Sequence, residues 1–314
     1  MRVLFAGSPA IAVSALERIF DIPHDVCEIV GVLTNPDAPK GRGCQFEATD
    51  VGKAAIRFGV PILKPEKLDA SARESVRSLR PDILVSFAYG HIFGPKFLAL
   101  FPLGGINIHP SLLPKYRGPS PIQTAILNMD AKTGVSIQYL AQEVDSGDIL
   151  LQEELPLTGR ETTAGLSDIV SQKAAGLLEK ALVGIISGSI VGTPQNNADA
   201  TFCRAFTKQD GFIDWMLNVQ AIDAHVRAFN PWPLAWTRHN GTRLFILESR
   251  PVEIDAAGGA PGDILRPNER NGILVKTGAG ILAVTKLQFE TKKALDWKSF
   301  LNGARNFLGT QFEV

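Results

Sequence analysis

The chain holds 314 residues, 45% hydrophobic and 20% charged, enough apolar material for a large core and too much for global disorder. Its 32 Lys and Arg balance 32 Asp and Glu, so charge announces no broadly basic nucleic-acid binder, although contact with nucleic acid over a small area stays compatible. No apolar run reaches the roughly 18–20 residues of a membrane span, and the length favours two domains over one.

Arg2–Ala6 reads as a buried first strand, not a secretion signal, because the apolar stretch is short and Gly7-Ser8-Pro9 breaks it. Ser8 and Pro9 offer an N-cap and a first-turn proline to a helix ending near Phe20. Strand-like runs follow at Glu28–Thr34, Val60–Leu63, Asp82–Phe87 and Gly105–His109. Helical stretches lie between most of them, around Val51–Phe58, Ser71–Leu79 and Pro95–Leu100. Such alternation predicts parallel pairing through crossovers, hence a doubly wound, mostly parallel α/β sheet of Rossmann-like type. Asn35–Gly43, rich in Gly and Pro, reads as a mobile surface loop. Gly134–Leu140 and Ile149–Leu155 are further strands, and Thr163–Ile186 is a long amphipathic helix.

From Ser187 to Ala205 turn formers dominate and periodicity is lost. We therefore expect an α/β domain over 1–188, a linker over 189–206 and a second domain over 207–314. The last part opens with a helix at Val219–Phe229. Short strands follow at Leu234–Arg238, Arg243–Glu248, Gly262–Leu265, Ile273–Lys276 and Ile281–Gln288, a pattern that suits a smaller OB-like β-barrel. With 13 basic and 11 acidic residues, it is only mildly basic.

Several chemistries lose their footing. Gly7-Ser8-Pro9-Ala10 follows the first strand but does not make the G-x-G-x-x-G dinucleotide fingerprint, which disfavours a nicotinamide oxidoreductase. No phosphate-cradling P-loop and no G-x-S-x-G elbow is present. Cys27, Cys44 and Cys203 are scattered, and the five histidines form no ligand pair, so neither a disulfide framework nor a metal site is expected. The chain reads as cytoplasmic.

The informative stretch is Gly105-Ile106-Asn107-Ile108-His109-Pro110. Strand periodicity puts Asn107 and His109 on one face and the two isoleucines on the other, and Pro110 ends the ladder. Two polar side chains thus emerge near the carboxyl end of a strand, where open α/β sheets bind ligands. Taken alone, such a pair most often satisfies local backbone groups. Asp145-Ser146-Gly147-Asp148, taken alone, is most often a solvated turn.

The motifs together, in order, resemble the methionyl-tRNA formyltransferases of the 10-formyltetrahydrofolate-dependent transferase family. They are Phe5-Ala6-Gly7 with Pro9, Asn35-Pro36-Asp37 with Gly41-Arg42-Gly43, Ala88-Tyr89-Gly90, Ile106-Asn107-Ile108-His109, Ser111-Leu112-Leu113-Pro114, Arg117-Gly118 with Pro121-Ile122, Asp145-Ser146-Gly147-Asp148, and Arg227-Ala228-Phe229-Asn230-Pro231-Trp232-Pro233. Each alone is weak, and the whole series is specific. The resemblance implies a monomeric cytoplasmic enzyme of translation initiation that moves a formyl group from 10-formyltetrahydrofolate to the amino group of initiator methionyl-tRNA, releasing tetrahydrofolate and using no metal. It implies catalytic roles for Asn107, His109 and Asp145: Asn107 as oxyanion donor, His109 as base or donor according to its protonation, and Asp145 orienting His109.

By the same resemblance Ser111, Leu112, Leu113 and Pro114 flank the folate, backbone near Ala88-Tyr89-Gly90 reads its pterin edge, and the second domain helps to hold tRNA. Arg42 and Lys40 would meet the acceptor end, with Lys286, Lys292, Lys293, Lys298 and Arg305 as further candidates for phosphate. The sequence departs from the family after Arg42, where Cys44-Gln45-Phe46-Glu47-Ala48-Thr49-Asp50 replaces the usual lysines. Sugar-nucleotide amine formyltransferases are similar in both domains and form the alternative. A non-catalytic folate- or RNA-binding module is disfavoured by the presence of all three catalytic types.

Overall fold

The structure, a computed structural model, describes residues 1–40, 45–254, 258–267, 271–304 and 306–313. Contacts divide the chain into two units. The first is Met1–Pro121, Lys132–Pro156 and Ser167–Arg204, and the second is Ile122–Ala131, Leu157–Leu166 and Ala205–Val314.

In the order of the chain, the elements up to residue 187 are β1 (Arg2–Gly7), α1 (Val13–Phe20), β2 (Glu28–Leu33), β3 (Ala38–Lys40), β4 (Gln45–Glu47), α2 (Asp50–Phe58), β5 (Ile62–Leu63), α3 (Ala70–Ser78), β6 (Ile83–Phe87), α4 (Pro95–Leu98), β7 (Gly105–His109), α5 (Pro121–Leu127), β8 (Lys132–Tyr139), β9 (Ile149–Pro156) and α6 (Thr163–Ser187). The main sheet runs β5-β2-β1-β6-β7-β8-β9. Its first five strands are parallel, and strand order reverses about β1, the switch point at which doubly wound sheets open a ligand crevice. Every residue of β6 and all but the first of β1 are buried, as parallel strands covered on both faces must be. Leu4, Leu33, Leu84, Tyr89, Phe93 and Phe97 form one side of this core.

Strands β8 and β9 are antiparallel to their neighbours, so the sheet is mostly parallel, as expected. The cause is local: the connection from His109 to Lys132 returns beside the end of β7 it left, because His109 pairs with Ser136 early in β8. Without a crossover only antiparallel pairing is open to it.

Two expectations need correction. Ser8 does not cap the first helix. Its hydroxyl accepts a hydrogen bond from Asn35 N at 3.1 Å, and a 3₁₀ turn at Ala10–Ala12 precedes α1. The segment read as a loop after β2 contains a β-hairpin, β3 on β4, with Pro39 opposite Phe46. Arg42 and Cys44 lie outside the described residues. The unusual stretch after Arg42 has structural tasks, since Gln45–Glu47 is a strand and Thr49 caps α2 by accepting from Gly52 N.

The second unit carries α7 (Val219–Ala228), β10 (Ala235–His239), β11 (Thr242–Val252), β12 (Ile273–Lys276), β13 (Ile281–Phe289), β14 (Leu295–Asp296) and α8 (Trp297–Gly303). An antiparallel sheet in the order β10-β11-β13-β12, with β14 against β13, curls around Trp215, Ile222, Leu244, Val284, Phe300 and Phe307. The register slips around Glu248, and such bulges bend a strand and steepen its twist. The predicted strand at Gly262–Leu265 is reduced to two bridges, from Asp263 to Gln311 and from Ile264 to Val275. Its bonds alternate between two different segments, so no ladder forms. Helix α8 was unpredicted, although Asp296 caps it through the amides of Lys298 and Ser299. Among the described residues no helix is long and apolar enough to cross a membrane.

Candidate active site

Strand β7 presents Asn107 and His109 on one face, as strand alternation requires. Beside them β8 places Gln138 opposite Asn107 and Ser136 opposite His109. The loop from Leu140 to Asp148 starts at the other end of β7, where Leu140 N donates to Gly105 O at 2.8 Å, and folds back to bring Asp145 over this polar face. Connections leaving opposite ends of β7 thus meet above it.

Asp145 is the hub. Its Oδ1 accepts from Gln138 Nε2 at 3.0 Å and, more weakly, from Asn107 Nδ2 at 3.4 Å. Its Oδ2 accepts from Gly118 N at 2.9 Å and stands 3.5 Å from His109 Nδ1. The second N–H of the Asn107 amide has no protein partner among the described residues. Asp145 has φ +54°, a left-handed conformation that a non-glycine residue keeps only when its surroundings hold it there. Tyr116, whose carbonyl meets His109, and Ala88, directly after β6, have φ +60° and +51°.

His109 is 4% exposed. Its Nε2 lies 2.8 Å from the carbonyl oxygen of Tyr116. A carbonyl only accepts, so Nε2 carries the proton and donates it there. Burial pushes the imidazole pKa below its ordinary value, against the opposing pull of Asp145 and the Tyr116 carbonyl. The favoured form is therefore neutral, with the lone pair on Nδ1, the atom that faces Asp145. Proton uptake at Nδ1 would give an imidazolium with a partner at both nitrogens.

Two glycines allow the loops to approach. A Cβ on Gly147 would fall 1.9 Å from Tyr139 O, and one on Gly118, at φ +117°, 2.3 Å from Cys203 O. Gly147→Ala is expected to displace the Asp145 loop and lower turnover at least about tenfold in a folded protein, since misplacement near 1 Å can cost about 100-fold. Single-turnover rates beside a thermal melt check it, and a normal rate would show that the loop tolerates the shift.

Ser111-Leu112-Leu113-Pro114 follows His109 directly and is built into its turn. Ser111 Oγ donates to Lys115 O, Leu113 N donates to Ser136 Oγ, and Gln152 Nε2 donates to Leu113 O. Ser111 and Leu113 are buried, whereas Leu112 and Pro114 are half-buried. Asn35 joins the Ala88–His91 segment, its Nδ2 donating to Tyr89 O at 3.3 Å and its Oδ1 lying 3.0 Å from His91 Nε2. Lys40 ends β3, and Arg42 lies outside the described residues. In the second unit Lys286 pairs with Glu248, while Lys292 and Lys298 lie over Phe289 and Trp297. Arg227 is turned inward, onto Asp223 at 2.8 Å and the carbonyl of Glu161 at 3.0 Å, so within Arg227–Pro233 it serves packing.

Sequence reasoning missed four contributors: the Gly118 amide, the Tyr116 carbonyl and the side chains of Gln138 and Gln195. The first two are backbone groups without a residue signature. Gln195 sits in the turn-rich stretch, and only its Pro-Gln-Asn-Asn context distinguishes it from any exposed glutamine.

The model described as Formyl transferase matches residues 1–182, and that described as Formyl transferase, C-terminal domain, matches residues 205–305. The chain is 46% identical over 327 aligned positions to a methionyl-tRNA formyltransferase of Treponema denticola, covering 100% of both chains. Among solved structures it resembles an N-formyltransferase from Helicobacter canadensis in complex with folinic acid and dTDP-3-aminofucose (TM-score 0.67, 20% identity, 90% of this chain and 98% of that one). It also resembles HypX from Aquifex aeolicus in complex with tetrahydrofolic acid (TM-score 0.65, 16% identity, 98% of this chain and 48% of that one).

Proposed function

From the premise that the chain belongs to the formyl transferase family, we propose that it transfers a formyl group from 10-formyltetrahydrofolate to the free amino group of initiator methionyl-tRNA. The observation that carries the reading is the placement of His109, its Nε2 committed to the Tyr116 carbonyl and its Nδ1 turned to the Asp145 carboxylate. An α-amino group has a pKa near about 8, so much of it is protonated at neutral pH and must lose a proton before it can attack. His109 Nδ1 takes that proton and Asp145 holds the imidazolium that results; the imidazolium gives the proton to the departing folate nitrogen, and the neutral ring then takes the second proton from the attacking nitrogen as the amide forms.

The folate supplies the formyl carbon on a nitrogen leaving group. The residues present fit it through one feature, the amide N–H of Asn107 without a protein acceptor, which is suited to the formyl oxygen as negative charge builds there. Leu112, Pro114 and the exposed backbone of Ala88 and Gly90 are the groups that would flank and read the ring system, with Ser111 and Leu113 shaping the turn beneath. For the nucleic acid we assign Arg42 and Lys40 to the acceptor end and the second unit to the rest of the contact. The full-length identity to a methionyl-tRNA enzyme, against 20% to the sugar-type structure, favours tRNA over a sugar-nucleotide amine.

Single-turnover formylation of charged initiator methionyl-tRNA with 10-formyltetrahydrofolate, run beside the elongator methionyl-tRNA, tests this. Rapid transfer confined to the initiator is expected. No transfer to either tRNA by a folded, folate-binding protein would overturn the substrate assignment.

A further inference from the structure

Gln195 stands in the stretch between the two family models, which end at 182 and resume at 205. That stretch is fastened to both loops of the active site. Thr193 and Ile149 exchange a pair of backbone bonds at 2.8 Å, Cys203 N donates to Arg117 O at 2.8 Å, and Tyr116 N donates to Thr201 Oγ1 at 2.9 Å. We propose that Gln195, gripped by Arg117, is a positioning residue that sets the Asp145 carboxylate for proton transfer; this rests on the reading of Asp145 given above.

The orientation of the Gln195 amide is determined by its neighbours. Its Oε1 accepts from Arg117 Nε at 3.0 Å and Nη2 at 2.8 Å. Its Nε2 donates to Asp145 O at 2.9 Å and Gly147 O at 2.7 Å, and lies 3.1 Å from Gln138 Oε1. A flipped amide would set oxygen against three oxygens and nitrogen against two N–H donors, so one arrangement is available. One of the two carbonyls it holds is that of Asp145 itself, the residue at φ +54° and the point at which the loop most needs external support, and the other lies two residues on. Gln138 extends the chain, because its own Nε2 donates to Asp145 Oδ1. Gln195 therefore controls the aspartate through the main chain and through a second amide.

Arg117 explains why the arrangement holds. It is 4% exposed, and among the described residues its side-chain partners are neutral amides, Gln195 and Asn197, the latter at 2.8 Å from Nη2. A buried guanidinium is most simply satisfied by a carboxylate. Here its charge falls on an amide oxygen instead, which polarises that amide and strengthens the N–H groups it turns to the loop. A glutamate at 195 would suit Arg117 better and the loop worse, having no hydrogen to give to either carbonyl.

Gln195→Glu is the discriminating variant. Its kcat is expected to fall about 10–100-fold with KM for tRNA and folate within about twofold of the parent. In an Asp145→Asn background the same substitution should cost no more than about twofold, because the group it positions is already gone. An equal loss in both backgrounds, or a loss confined to KM, would overturn the proposal. If Gln195→Glu does not fold, Arg117→Lys replaces it: the fork on Oε1 is lost while the amide stays, and the same dependence on Asp145 is expected, with a wild-type kcat overturning the proposal. Should Asp145→Asn itself retain wild-type turnover, the reading of the centre fails instead. Hydrogen exchange of residues 143–148 then decides the clamp alone, faster exchange in Gln195→Glu supporting it and unchanged exchange overturning it.

Discussion

An Asn107→Ala enzyme is expected to form product about 10²–10³-fold more slowly than its parent, a loss of about 3–4 kcal/mol in transition-state binding. The size follows from the placement of the amide. Asn107 is fixed by its strand, flanked by Gln138 across the antiparallel pair and by Ser86 across the parallel one, so the donor does not have to be reorganised when charge develops. Of its two hydrogens, one makes the long contact to Asp145 and the other has no protein acceptor among the described residues. Alanine removes that donor. The rate should be measured in a single turnover at saturating donor and tRNA, and a near-normal value would take Asn107 out of the mechanism.

His109→Ala should lower turnover at least about 100-fold. Its pH dependence carries the sharper test. The working form in our reading is the neutral ring, and burial holds its pKa below the ordinary histidine value. A group with a depressed pKa stays unprotonated through neutral pH and is lost as a base only when pH falls through the lowered value. The acid limb of kcat/KM should therefore lie below about pH 6.5. The Asp145 carboxylate pulls the other way, so Asp145→Asn should move the limb lower still while also reducing the plateau. A rate that instead falls as pH rises through the imidazole pKa would mean that His109 acts as a cation.

Strand β7 was legible to the residue, since two isoleucines alternate with two polar residues and proline stops the ladder. The sheet class was legible for the same reason, because strand and helix periods alternate up to β7. Asp145 was a different matter. It is 38 positions from Asn107, and only a loop folding back from the far end of the strand unites them, which no local period encodes. The hairpin of β3 and β4 was hidden by Pro39, a residue that usually argues against a strand but is tolerated at an edge. Helix α8 is seven residues long, too short for a periodic signal, though its cap at Asp296 could have been read. Gln195 was missed because turn chemistry and a binding role draw on the same residues.

Arg117 and Gln195 are separated by 78 positions, and the loop they hold lies 50 positions before Gln195. The alignment of the carboxylate is thus a long-range event, reached only after the strands beneath it have paired and the chain has travelled along α6 and back. Every residue of the proposed catalytic trio is already present in the stretch 1–182 that one family model spans. A fragment cut there would keep the chemistry and lose its alignment, so the boundary of the working unit falls beyond the boundary of the recognisable domain.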